Sequence, residues 1–433
     1  MSIFKNIRLG LLHVAVAMTF VLINGVLNRV MIYNLGILAS VVAVLVVLPY
    51  LLSPMQVWIG QYSDTHPLFG YRRTPYIALG TLLCVGGAVV TPHVALLMAD
   101  NFALGVLVGV FAFGAWGLGY NLAVVAYLSL ASDMSTEQQR SRTIAIMWFM
   151  MITSIIVTAI ITSRALEPYS DAQLVRVFRM GGLAALGLAA LGLVGLEPRR
   201  AAQPAEQSRQ SQRAAVRAVL GNPQARLFFV YLILMLSAIL GQDILLEPYG
   251  AQEFGMSVRE TTQLTATWGA MTLVALLLQG LLLSRWLSKK TGALLGALIA
   301  TAGLLLIAAS GLLDLQALFV PGVAALGFGT GIATSTNLAL MLDMTTSEQV
   351  GLFIGAWGVA DSLARGAGML MGGVVRDIVT ATTGSLSNGY ITVFLIEAIM
   401  LAGSLLLLRL VDVSAFRSRQ PTLTELVALA GDA

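Results

Sequence analysis

The sequence predicts an all-α membrane protein of about twelve transmembrane helices, built as two similar six-helix halves. Three observations predict it. Charged residues make up 11% of the 433-residue chain and hydrophobic residues 58%, whereas a soluble domain is roughly a quarter charged. A chain this poor in charge cannot cover a surface that faces water, and its mean hydropathy is +0.86. Apolar runs long enough to cross a bilayer recur from one end to the other. Finally, motifs of the first half return in the second at an offset of about 210 residues.

In the first half the apolar runs fall at 9–33, 36–60, 75–98, 102–130, 144–163 and 177–196. In the second they fall at 225–246, 261–283, 292–313, 315–342, 350–375 and 389–411. Several exceed the bilayer thickness, which tilt absorbs. Residues 1–196 therefore form one half and 224–411 the other, joined by a polar linker at 197–223 and followed by a tail at 412–433. The first run follows Lys5 and Arg8 and is too long for a signal peptide, so it is expected to be retained. With the N-terminus in the cytoplasm, about 18 basic residues fall on that side and about 6 on the other. That bias predicts an inner-membrane protein with both termini cytoplasmic, with Arg164, Arg176 and Arg179 as exceptions.

Several function classes are excluded. The net charge of +4 comes from basic residues in short gaps between apolar runs, without the basic stripe and interleaved aromatics of a nucleic-acid binder. One cysteine, Cys84, rules out an intrachain disulfide and a thiolate metal cluster. No phosphate loop, HExxH, nucleophile elbow or dinucleotide fingerprint is present. Asp133 and Asp343 stand alone and do not build the aspartate-rich clusters through which a prenyl transferase holds a diphosphate. The expectation is a protein without catalytic residues or a metal site of its own. The 43 glycines, some at GxxxG spacing such as Gly292/Gly296 and Gly368/Gly372, suit close helix packing in lipid.

The internal repeat is specific. Gly117, Gly119, Ala123 and Asp133 return as Gly327, Gly329, Ala333 and Asp343. Between the second and third runs lie Gly60, Asp64, Gly70, Arg72 and Arg73. This pattern resembles the signature loop of the major facilitator superfamily. The resemblance implies that superfamily's fold and assigns these five residues to a gate that locks the cytoplasmic side of the halves. Physically, Gly60 lets a helix end approach its neighbour, and Asp64 can accept hydrogen bonds from a helix N-terminus or pair with Arg.

Polar residues inside the apolar runs are more telling, because each is costly in hydrocarbon unless partnered. The first run carries Asn24, Asn28 and Arg29 near its outer end, with His13 deeper. The seventh carries Gln242, Asp243 and Glu247 near its outer end. Because these two runs are symmetry equivalents, Arg29 is expected to pair with Asp243 or Glu247 across the halves. On the eleventh, Asp361 and Arg365 are spaced for an intrahelical ion pair of structural role. The twelfth carries Glu397 alone. His13 is the embedded histidine, either a hydrogen-bonded packing residue or an axial ligand for a porphyrin-type metal.

Longer stretches carry a narrower resemblance. Residues 27–32 (LNRVMI), 56–64 (QVWIGQYSD), 71–75 (YRRTP), 242–250 (QDILLEPYG), 254–256 (FGM) and 357–366 (WGVADSLARG) resemble the PucC family. The likeness runs from the first helix to the last, and a compact branch bears the name of a bacteriochlorophyll synthase chain. The resemblance implies a non-enzymatic membrane carrier or assembly factor in a phototroph. Such a protein binds bacteriochlorophyll and delivers it to light-harvesting antenna polypeptides, alongside bacteriochlorophyll synthase and within the lipid of the photosynthetic membrane. It implies pigment contacts at His13, Asn24, Asn28 and Arg29 on one half and Gln242, Asp243 and Glu247 on the other, with His13 able to ligate the pigment's Mg. Met18, Met31, Trp116, Tyr120 and Trp268 are candidates to face the ring. Two rivals stand beside this reading. One is a proton-coupled small-molecule transporter titrating Asp243, Glu247 or Glu397. The other is a structural subunit of the synthase complex with an empty cleft.

Overall fold

A computed structural model describes residues 3–198, 221–343 and 350–412 of the chain. The linker expected at 197–223 and the tail at 412–433 lie largely outside the described residues, as does the side chain of Asp64. Among the described residues the regular structure is helical, and ten helices are long and apolar enough to cross a membrane. Two further helical spans complete twelve: an interrupted second span and the eleventh, Val350–Thr383. The protein is a multi-pass membrane protein.

The second span shows how sequence breaks a helix. It runs as three pieces, Ala39–Val46, Leu48–Leu51 and Met55–Thr65. Pro49 and Pro54 sit at the two interruptions, where a residue without an N–H cannot continue the hydrogen-bond ladder. The run expected at 36–60 extends to Thr65, which shortens the following loop to 66–73. The third and fourth spans are Thr74–Asp100 and Phe102–Met134, the fifth and sixth Glu137–Ala165 and Asp171–Leu193. The seventh begins as Pro223–Leu240, tightens into a 3₁₀ turn at Gly241–Ile244 and continues as Leu246–Phe254. The eighth, ninth and tenth are Val258–Leu281, Lys289–Leu312 and Phe319–Asp343, and the twelfth is Leu386–Leu410. Short turns on the face away from the chain ends are capped; Ser257 and Glu260, for example, bond reciprocally at the start of the eighth span.

The repeat in the sequence is a repeat in packing. In the first half the third and fourth spans meet backbone to backbone, because a Cβ on Gly80 would lie 3.0 Å from Ala123 Cα and one on Gly119 would lie 2.6 Å from Gly80 O. In the second half the ninth and tenth repeat this: a Cβ on Gly296 would lie 2.9 Å from Ala333 Cα, and one on Gly329 would lie 2.6 Å from Gly296 O. With no hydrophobic drive between helices in lipid, contact of this closeness is what holds the pair. The acidic residues of the repeat are equivalent too. Asp133 pairs with Arg73 at 3.4 Å, just before the third span, and Asp343 with Lys289 at 2.6 Å, the first residue of the ninth, each tying the fourth span of its half to the start of the third.

Gly119→Ala is expected to lower stability by about 1–3 kcal/mol, since a methyl group must force two backbones apart. Gly329→Ala should do the same, while Gly86→Ala, which meets open space, should be neutral. Thermal unfolding of the three variants in one detergent checks this.

Candidate functional site: a charged and aromatic cleft closed on one face

The first and seventh spans meet where both lose regular α-helical geometry. The first span, helical over Ile3–Leu22, winds on into π-helical turns at Ile23–Leu27 and Val30–Asn34, either side of Asn28 and Arg29. Single π turns inside α-helices frequently mark functional sites. The 3₁₀ turn of the seventh span faces them. Asn28 is fully buried, and its amide donates to the carbonyls of Asp243 at 3.3 Å and Ile244 at 3.2 Å. Irregular backbone survives at membrane depth only when its freed groups find partners, and Asn28 supplies them from the other half.

Arg29 is also buried, yet it does not form the ion pair with Asp243 or Glu247 expected from the sequence. Its guanidinium donates to Asn34 Oδ1 at 2.6 Å and to the Met256 carbonyl at 3.1 Å, and stacks on Tyr33 at 4.9 Å. The reason is helical phase. Asn28 and Arg29 are consecutive and point about 100° apart on a helix of 3.6 residues per turn, so only one can face the seventh span's turn. Glu247 instead accepts from Thr265 of the eighth span at 2.5 Å. Further links close the same face. Asp377 at the end of the eleventh span accepts from the Ala39 and Ser40 amides at 3.3 and 2.7 Å, capping the second span across the halves. Arg259 pairs with Glu167 at 2.5 Å.

Deeper in the molecule lies a charged trio. Arg365 contacts Asp361 at 3.1 Å on its own helix and Asp243 at 3.4 Å on the seventh span. The intrahelical pair was legible from its four-residue spacing; its extension to Asp243 was not. Gln242 completes the cluster by donating to Asp243 Oδ1 at 2.7 Å. Side-chain exposures of 28% for Arg365, 32% for Asp361 and 19% for Asp243 open the trio to a cleft between the halves. The links above close the face away from the chain ends.

The first half contributes the opposite wall. The Arg365 guanidinium lies 5.8 Å from the ring of Tyr50, at the kink of the second span. Phe20 packs on Tyr50, Trp116 and Tyr120 with ring centroids 6.4, 4.7 and 4.9 Å apart, and Trp116 is fixed by its indole N–H bonding Thr19 at 2.9 Å. Phe20 and Tyr50 carried no signal in the sequence beyond being apolar aromatics among many. Met31 is fully buried and serves packing. Asn24 presents a buried Oδ1 without a hydrogen-bond partner.

His13 is not part of this cluster. At about 1.5 Å rise per residue it stands roughly 16 Å below Asn24 along the first span. Its ring packs 5.2 Å from Tyr127 and 6.3 Å from Trp148, inside its own half. The gate residues form a separate site near the chain ends. Phe69 (φ 54°) and Gly70 (φ 80°) make the two left-handed corners of a tight turn between Leu68 and Tyr71. Arg73 donates to Ser63 Oγ at 2.5 Å as well as reaching Asp133. Gly60 packs its helix beside Val125. Sequence reasoning missed Glu197. Its carboxylate accepts from the amides of Arg72, Arg73 and Thr74 at 2.9, 3.1 and 2.7 Å and caps the third span from the end of the sixth.

The chain matches the family described as PUCC protein over residues 26–416. It is 33% identical over 407 residues to "Protein PucC" of Cereibacter sphaeroides, covering 91% of this chain and 89% of that one. It is 30% identical over 410 residues to the "Bacteriochlorophyll synthase 44.5 kDa chain" of Rhodobacter capsulatus, covering 92% and 94%. Among solved structures it resembles a bacterial homologue of the human lysosomal transporter Spinster, in an inward-facing and unoccupied conformation. The TM-score is 0.73 at 13% identity, with 97% of this chain and 98% of that one covered. The fold is therefore that of the major facilitator transporters, as the signature loop implied.

A double-mutant cycle of Arg365→Gln with Asp243→Asn should return a coupling of about 0.5–3 kcal/mol in thermal unfolding. The same cycle of Arg29→Gln with Asp243→Asn should return none.

Proposed function

The chain belongs to the PUCC protein family, and on that premise we propose that it is a membrane carrier for bacteriochlorophyll that hands the pigment to light-harvesting antenna polypeptides. It acts beside bacteriochlorophyll synthase and catalyses no step itself. Its place is the photosynthetic inner membrane of a phototrophic bacterium, with the face that bears the chain ends in the cytoplasm.

The observation that carries this reading is the two-sided cleft. A bacteriochlorophyll macrocycle is flat and apolar, bears carbonyl substituents at its rim, and trails a long hydrocarbon tail. The wall of Phe20, Tyr50 and Tyr120 offers ring faces for stacking. Across from it, Arg365 keeps donors to spare beyond its bonds to Asp361 and Asp243, suited to rim carbonyls. The tail stays in lipid by leaving between spans. The central Mg²⁺ takes an oxygen or imidazole as a further ligand, and the unpartnered oxygen of Asn24, one helical turn from Phe20, is a neutral candidate, whereas His13 packs inside its own half. Asn28, Arg29, Gln242, Asp243 and Glu247 then act around the pigment as the closed end of its pocket.

Transporters of this fold carry solutes across the membrane. A pigment soluble only in the membrane needs no crossing, and a cleft reached from the side of the bilayer serves it equally well. The scaffold is kept while the route of the cargo changes.

Protein purified in mild detergent from pigment-making cells should carry bacteriochlorophyll in its absorption spectrum. Phe20→Ala combined with Tyr120→Ala should lower the pigment-to-protein ratio several-fold without unfolding the chain. Pigment-free protein under every growth condition would refute the carrier reading.

A further inference from the structure

Glu397 sits near the middle of the twelfth span with 0% exposure, and neither carboxyl oxygen has a hydrogen-bond partner. Its Oε1 lies against the backbone of the seventh span, where a Cβ on Gly241 would come within 2.6 Å of it. That same Cβ would lie 3.1 Å from the carbonyl oxygen of Gly368 on the eleventh span. Three helices thus close around one carboxyl, and at the point of closure two of them present glycine. Gly241 also opens the 3₁₀ turn that carries Gln242 and Asp243, and Gln242 Oε1 is a second buried oxygen without a partner.

The surroundings offer no counter-charge. From the seventh span the facing ionisable group is Asp243, itself acidic and bonded to Gln242 and Arg365. From the short helix that follows, Glu247 is bonded to Thr265 and Tyr249 lies by Ser310, with Glu253 further on. On the eleventh span Arg365 lies one turn from Gly368 and is committed to Asp361 and Asp243, while Arg376 and Asp377 bond each other two turns further along. The ninth span brings no ionisable residue between 291 and 312. On its own helix Tyr390 bonds Gln252, and Arg409 is in the last turn. Among the described residues no ion pair joins Glu397 to a cation. An ionised carboxylate here would be a buried charge without a counter-charge, which is strongly disfavoured. A neutral acid avoids that cost.

We propose that Glu397 is a proton-binding site linked to closure of the face away from the chain ends. It holds its proton while the seventh, eleventh and twelfth spans are packed around it. When these spans part at Gly241 and Gly368, water reaches the carboxyl and takes the proton, leaving a solvated carboxylate. By linkage, the closed face is favoured at low pH and opening is favoured as pH rises. The proposal concerns the proton alone and stands whatever the cargo is.

The test uses the full chain in lipid nanodiscs, with Cys84→Ser as background and spin labels at Phe102→Cys and Leu315→Cys, exposed positions on the closing face of each half. The expected result is that the label-to-label distance lengthens as pH is raised from acid to mildly alkaline. Glu397→Gln, neutral at every pH, should stay at the short distance, and Glu397→Asp should restore the response. Persistence of the response in Glu397→Gln would assign it to another group, Asp243 first, and overturn the proposal; so would a wild-type protein that ignores pH. Infrared spectra give a second readout on the unlabelled protein. A protonated-carboxyl C=O band that shifts in D₂O should be present in the wild type and diminished in Glu397→Gln. Identical bands in the two proteins would equally overturn the proposal.

Discussion

In hydrocarbon no water stands ready to bond a backbone group, so every departure from α-helix must be repaired by protein. That constraint organises this molecule. The seventh span tightens at Gly241–Ile244, and the repair comes from Asn28 of the other half, which bonds the Asp243 and Ile244 carbonyls. The contact between halves and the irregular turn are therefore one feature. Neither persists alone: with the halves apart, those carbonyls lose their partner; with a regular helix, Asn28 loses its acceptors. A closed face held by such bonds can open only if water replaces them, which is the condition an alternating scaffold needs.

Charge is placed by the same logic. Arg365 lies among Asp361, Asp243 and the ring of Tyr50, so the cost of holding it inside the membrane is offset from two helices and an aromatic face. Such a cluster is weak evidence for stability, since burying ions is expensive even when they are paired. Its partial exposure points to function in the cleft. Glu397 is the opposite case, fully enclosed and without a counter-charge. One helix bundle thus holds a solvated charge network and a dry acid a few residues apart, bridged by the 3₁₀ turn.

Much of the scaffold was legible in residue types. The paired Gly117/Gly119 and Gly327/Gly329 announced equivalent close packing, whereas the breaks at Pro49 and Pro54 fall inside a run read as continuous over 36–60. Asp361 and Arg365 declared their bond by spacing alone. The site was legible only in part. Asn28, Gln242 and Asp243 were picked out as costly polar groups and do converge, but Arg29 was given the partner that its neighbour's carbonyl bonds leave to Arg365. His13 was grouped with them by being on the same helix, and stands about four turns from Asn28. Glu197 was read as the start of a linker, although it caps the third span.

By itself the sequence determined the membrane, the number of spans, the two-fold repeat and the family, because these depend on composition, run length and local spacing. Tertiary structure alone decided which face is closed, which carboxylate Arg365 serves and which acid is left dry. Those outcomes turn on helix phase and on distances between residues up to several hundred positions apart in the chain. At that range a shift of one residue along a helix moves a side chain by about 100° and exchanges its partner.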